Sequence, residues 1–134
     1  MSDERDQRKS NIHPLFRQAR EIAAQGGYEY AIDLYLDGLA ITPADVEMHQ
    51  ELREVSLRRK AGGGKAMAIA AALKLRRPTQ DPKQTMLNAE KLLAYDPGNT
   101  EHMLTMLQWA KRGGLNEIAE WMASILQMSN SKSL

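Results

Sequence analysis

Short clusters of glycine and proline cut this chain into helix-length pieces, and that punctuation constrains its fold more than any other feature. Gly26-Gly27, Thr42-Pro43, Gly62-Gly63-Gly64, Pro78 to Pro82, Asp96-Pro97-Gly98-Asn99 and Gly113-Gly114 interrupt regular structure. An interior glycine costs a helix about 1 kcal/mol relative to alanine, and proline lacks the backbone donor. Between the breaks, apolar residues recur at spacings of three and four, the period of one buried helical stripe. Leu15, Phe16, Ala19, Ile22 and Ala23 form the first such set, opened by His13-Pro14. Ala31, Ile32, Tyr35, Leu36 and Leu39 form the second, from Tyr28 to Thr42-Pro43. A third helix is expected from Ala44 or Asp45 to Lys60, burying Val46, His49, Leu52, Val55 and Leu57 and leaving Ser56 among the polar positions. Further helices are expected over Lys65 to Arg76, Lys83 to Tyr95, Thr100 to Arg112 and Leu115 to Met128. The apolar runs have too little β-branching for strands. The pattern therefore predicts an all-α fold of about seven helices.

A length of 134 residues suits one domain. Residues 1–12 are polar and aperiodic and read as a disordered tail, the helical domain as 13–128, and 129–134 as a polar end. The aromatic share of 5% leaves core packing to Leu, Ile, Met and Ala. The absence of Cys excludes disulfides, Cys-based zinc sites and thiol chemistry. No apolar run is long enough for a membrane span, and the start lacks the apolar stretch of a secretory signal, so a cytoplasmic protein is expected.

The pieces pair into hairpins. Gly26-Gly27-Tyr28 stands at a turn, followed by the small Ala31, the large Tyr35, Gly38-Leu39 and the closing Pro43. Met103 to Leu126 repeats the arrangement, with Gly113-Gly114 at the turn and Ala119 as the small residue, though Asn116 and Ala123 stand where aromatics are expected. Lys91 to Asn99 matches the end of such a unit. These segments resemble the tetratricopeptide repeat, a helix-turn-helix unit of about 34 residues. The middle section is also similar to bacterial tetratricopeptide proteins of a planctomycete type. Pro43 and Pro97 are 54 positions apart, so the middle unit carries an insertion, expected over about 61–81. The resemblance implies a right-handed α-solenoid of about three hairpins plus the inserted helix. A lone hairpin cannot cover its own apolar stripe, and stacking several leaves a curved face open.

That family lines its inner curve with the first helix of each hairpin. The resemblance therefore implies a peptide groove of Phe16, Arg20 and Ala23, then Gln50, Glu54 and Arg58, then Leu104, Gln108 and Lys111. Its chaperone-binding members hold a C-terminal carboxylate with Lys, Asn and Arg at set places. Phe16 and Glu51 occupy two of those places here, which argues against that partner.

Catalytic and metal chemistry find little in the chain. His13, His49 and His102 are too scattered for metal-ligand spacing and read as surface or groove residues. No carboxylate pair or nucleophile is marked by its sequence surroundings, so neither an enzyme nor a cofactor is expected. Ala61-Gly62-Gly63-Gly64-Lys65-Ala66 resembles a phosphate loop, yet Ala66 replaces the required hydroxyl and a helix precedes the glycines. What remains is a plain flexible hinge or, as the alternative, an anion held by free amides at the start of the following helix, beside Lys65.

Charge is segregated along the chain. Lys and Arg number 18 against 17 Asp and Glu, a net charge of +1. Between Glu54 and Asp81, however, Arg58, Arg59, Lys60, Lys65, Lys74, Arg76 and Arg77 occur without one acidic residue. These side chains offset helix C-terminal dipoles and keep the insert soluble, or they meet an anionic partner. An acidic peptide is favoured over nucleic acid because few aromatics lie nearby to stack bases. Met67, Ile69, Leu73 and Leu75 give the insert an apolar face, expected to dock on the repeats. The expected function is a noncatalytic protein-protein interaction scaffold that binds a peptide segment; the alternative is a binder of nucleic acid or another anionic surface through residues 58–77. From Trp109, Trp121 and a last helix apolar nearly all round, a partly apolar C-terminal face that meets another copy or another protein is expected.

Overall fold

The computed structural model describes residues 13–132, so the tail expected over residues 1–12 lies outside the described residues. Among the described residues seven helices follow one another: α1 Pro14–Ala24, α2 Tyr28–Ile41, α3 Val46–Ala61, α4 Ile69–Arg76, α5 Pro82–Tyr95, α6 Thr100–Arg112 and α7 Asn116–Lys132. No strand occurs among the described residues. The fold is all-α.

The breaks act through recurring turn chemistry. Gly26, Gly63 and Gly114 all adopt positive φ, at 86°, 84° and 75°, a region in which a Cβ is strained. In each turn the following amide reaches back to a carbonyl of the last helical turn: Gly27 to Ile22, Gly64 to Arg59 and Leu115 to Ala110. This is the capping arrangement that glycine makes possible. The two proline turns are likewise alike. Thr42 and Asp96 have similar cap dihedrals, φ −127° and ψ 68° against φ −147° and ψ 70°. Three residues on, Asp45 and Asn99 cap the next helix by accepting from the amides of Met48 and His102.

Three expected boundaries or faces differ. The alanine-rich helix begins at Ile69, not Lys65. A helix from Lys65 needs that residue's carbonyl for the amide of Ile69, and here the carbonyl instead accepts from the guanidinium of Arg59. The last helix continues past Met128 to Lys132. Neither Gly nor Pro interrupts it, and the Ser129 hydroxyl lies 3.8 Å from Met103 Sδ on α6. On α3, Ser56 is buried and Leu57 exposed, the reverse of expectation. The hydroxyl of Ser56 donates to the Leu52 carbonyl one turn back at 2.9 Å, which makes its burial inexpensive.

α1 and α2 form an antiparallel hairpin whose closest approach is set by Gly38. A Cβ there would lie 2.5 Å from the Phe16 ring. α3 packs on α2 and is tied to α1 by Arg20, whose Nε and one terminal guanidinium nitrogen donate to the two Glu51 carboxylate oxygens at 2.8 and 2.5 Å. The Tyr35 hydroxyl donates to the same carboxylate at 2.9 Å, and burial, foremost, with the Glu51 charge pushes the phenol pKa upward. α5 is the central helix, in contact with α2, α3, α4 and α6. It buries residues on nearly every side, among them Met86, Leu87, Ala89, Leu92 and Leu93. α6 and α7 form the closing hairpin, and α7 also reaches α3. α4 contacts α5 and buries none of its own residues.

Candidate functional site

The most tightly built polar site is in the core. His49 on α3 is fully enclosed and places Nδ1 2.7 and 2.9 Å from the carboxylate oxygens of Glu90 on α5. Its Nε2 lies 2.8 Å from the Pro43 carbonyl. Both ring nitrogens thus face acceptors, so the ring carries a proton on each and is cationic. Burial alone would lower its pKa. The Glu90 charge and hydrogen bond, the Pro43 carbonyl and Asp45 outweigh that, and the net direction is upward. Trp121 lies beside the ring at a centroid distance of 6.2 Å. His49 thus lies in the buried stripe expected of α3, and the other reading of it, as a surface or groove residue, is corrected. Its charge is neutralised by a carboxylate 41 positions away, which makes burial tolerable. His13 lies at the start of α1, where its Nδ1 accepts from the Leu15 amide at 3.1 Å.

The expected groove residues separate into three environments. Phe16 is 2% exposed, in the core against Tyr35 and Gly38, and Ala23 is also buried, so neither touches a guest chain. Phe16 fills the space that the glycine leaves. Arg20 is half-buried and engaged with Glu51. Gln50, Glu54 and Arg58 are exposed on α3, the last two 4.0 Å apart. Leu104 lines a cleft between α4, α5 and α6 to which no α1 or α3 residue contributes, and Gln108 and Lys111 are exposed on α6. No single strip collects the nine.

The basic segment divides as well. Arg58, Lys60, Lys65, Lys74, Arg76 and Arg77 are exposed. Arg59 is not, at 5%, which corrects its place in an anion-facing patch. Its Nε donates to Glu29 Oε1 at 3.1 Å, its NH2 group binds the Lys65 carbonyl, and its guanidinium lies 4.2 Å over the Tyr95 ring. A Cβ at Gly64 would fall 2.7 Å from the Arg59 side chain, so the glycine admits the arginine beneath the loop. The glycine loop offers no anion cradle. The amides of Gly62, Gly63 and Gly64 bond to the carbonyls of Arg58, Lys60 and Arg59, and the next helix starts at Ile69.

Beyond that loop α4 rests on α5 through Ala72 and Leu75, which are half-buried. Ile69 and Leu73, one turn apart, stay 80% and 55% exposed. The insert's apolar residues thus dock only in part. None of the ion pairs among the described residues includes Lys74, Arg76 or Arg77. Two clefts flank α4. One, of about 410 Å³, is walled by α2 and α5 and lined by Asp33, Asp37 and Lys91. The other, of about 390 Å³, is lined by Leu75 and Arg76 of α4, Thr85, Ala89 and Leu92 of α5, and Glu101, His102, Leu104, Thr105 and Trp109 of α6. Its convergence was not legible in the sequence, because its residues come from three separate segments and half of them are ordinary apolar residues.

At the C-terminal end, Trp121 packs on His49, and Trp109 lines the second cleft with the Arg112 guanidinium 4.4 Å over its ring. On the described part of α7, Met128 is exposed and Trp121 and Leu126 are half-buried. Among the described residues, no three His, Asp or Glu side chains group to hold a metal ion, and no helix is long and apolar enough to cross a membrane. Comparison with protein-family models, with curated proteins and with solved structures finds no match.

Proposed function

We propose that the chain is a noncatalytic interaction module that binds an acidic segment of a partner protein on the face carried by α4. The observation that carries this reading is the juxtaposition on one exposed helix of Ile69 and Leu73 with Lys74, Arg76 and Arg77, cations without carboxylate partners. An apolar stripe bordered by one sign of charge suits a guest with the opposite charge and its own apolar residues. The recognition surface differs from the groove that the repeat resemblance implies, since Phe16 and Ala23 belong to the core. The enclosed His49–Glu90 pair gives no substrate access to a histidine or carboxylate.

We also propose a tetratricopeptide-like plan of three hairpins, α1–α2, α3–α5 and α6–α7, with α4 inserted in the second. Its support is the repetition of turn chemistry. α1, α3 and α6 each end at a left-handed glycine, and α2 and α5 each end in the same proline turn followed by an Asp or Asn cap. Ala31 and Ala119, the small residues of the resemblance, are both buried.

The test is fluorescence anisotropy with a labelled peptide alternating Glu and Leu, at salt concentrations from 50 to about 300 mM. Reversing Lys74, Arg76 and Arg77 to Glu is expected to lower affinity by about tenfold or more, and Arg20→Ala to leave it within about twofold. A single-stranded oligonucleotide serves as competitor. If it binds more tightly than the peptide through the same cations, the nucleic-acid alternative replaces this reading.

A further inference from the structure

The cleft between α4, α5 and α6 has an unusual lining for a surface depression on a small helical protein. Thr85, Ala89 and Leu92, all buried, come from the central helix, Leu75 supplies one wall, and Leu104 stands exposed opposite. Into this largely apolar space come two groups able to bind an anion, Arg76 from α4 and His102 from α6. His102 is only 9% exposed, and its ring has no hydrogen-bond partner among the described residues; only its backbone amide is engaged, by Asn99. No buried polar atom there is left unsatisfied, so the unpartnered ring nitrogens keep access to solvent, and the residue lines the cleft. Arg76 has no ion pair, although Glu101 lines the same cleft.

We infer that this cleft is an anchoring site for a single carboxylate borne beside an aliphatic group, the carboxylate meeting Arg76 and His102 and the aliphatic group lying against Leu75 and Leu104. The inference rests on the proposed function in taking the carboxylate from an acidic side chain of the partner segment. Glu101 at the cleft sets the count at one: a second carboxylate would face it, and like charges repel.

A proton accompanies the guest. Burial holds the His102 pKa below its ordinary value, and the Arg76 charge adds to this; Asp96 and Glu101 oppose them. The other residues lining the cleft from α5, Thr85, Ala89 and Leu92, do not titrate. A carboxylate arriving between Arg76 and His102 cancels the Arg76 charge and attracts the protonated ring, so the ring takes up a proton and binding tightens as pH falls through the histidine range.

The experiment follows the His102 ring and the Trp109 indole by NMR in the full chain. Three probes are titrated: a terminally blocked peptide with one glutamate between two leucines, its glutamine counterpart, and N-acetyl-leucine. The expected result is that the glutamate peptide shifts both signals and raises the His102 pKa, the glutamine peptide binds about tenfold more weakly, and Arg76→Gln or Leu104→Ser each weaken binding by about that factor. Both substituted residues are exposed, so the fold is kept. Glutamate-peptide binding that leaves His102 unmoved and is indifferent to Arg76→Gln overturns the anchoring site while the acidic-partner reading stands. Response to N-acetyl-leucine alone keeps the anchoring chemistry and overturns the peptide source. No response to any probe at millimolar concentration overturns the anchoring site, and the anisotropy measurement on α4 then decides the broader reading alone.

Discussion

His49 and Glu90, 41 positions apart, meet at 2.7 Å in a site closed to solvent, and the other ring nitrogen of His49 points at the Pro43 carbonyl. This one contact joins α3, α5 and the turn that precedes α3.

The pair makes stability depend on pH. His49 has a folded pKa above its ordinary value of about 6.5. Its contribution is therefore complete below the unfolded value and drains away as pH rises through the folded one. Urea midpoints should fall between neutral and alkaline pH. Glu90→Leu alone should cost about 3 to 5 kcal/mol by leaving the histidine unpaired, and His49→Leu/Glu90→Leu should recover most of that and flatten the pH profile. A double variant as steep as the parent would count against this account.

Gly38→Ala should destabilise, against the ordinary rule that this change strengthens a helix by about 1 kcal/mol. The new methyl would meet the Phe16 ring at 2.5 Å, and overpacking of this kind costs about 1 to 3 kcal/mol. Phe16→Leu combined with Gly38→Ala should lose less than the sum of the two single changes, measured by thermal unfolding as a double-mutant cycle.

Arg59→Met keeps much of the buried stem but removes the contacts to Glu29, the Lys65 carbonyl and the Tyr95 face. A loss of about 2 kcal/mol is expected, together with faster amide exchange over residues 64–68. Arg59→Lys should rescue little, since an ammonium cannot donate to both Glu29 and the Lys65 carbonyl while also lying over the Tyr95 ring.

Ile69→Ser with Leu73→Ser should change stability by no more than about 0.5 kcal/mol, because both side chains are exposed and α4 buries none of its residues. The same pair should weaken the acidic peptide, which separates the binding role of these residues from any structural one.

The described helices and most of their ends were legible because glycine and proline act locally: Gly26, Gly63 and Gly114 take the positive-φ conformation that other residues rarely adopt. What stayed hidden was set at long range. Nothing near His49 announces Glu90. The Lys65 carbonyl that a helix from that residue needs is taken by Arg59, folded back beneath the loop. Ser56 looks polar until its hydroxyl is satisfied within its own helix. Phe16 resembles a groove residue until Gly38, 22 positions on, is found to make room for it. The cleft at His102 needs three segments at once and has no linear signature.

The way α4 is held has a practical consequence. Its loop is clamped from below by Arg59, while the helix itself only rests on α5. Residues 69–76 form a cassette seated on a finished scaffold, so a library randomised there would sample new specificities while inheriting the parent's foldability.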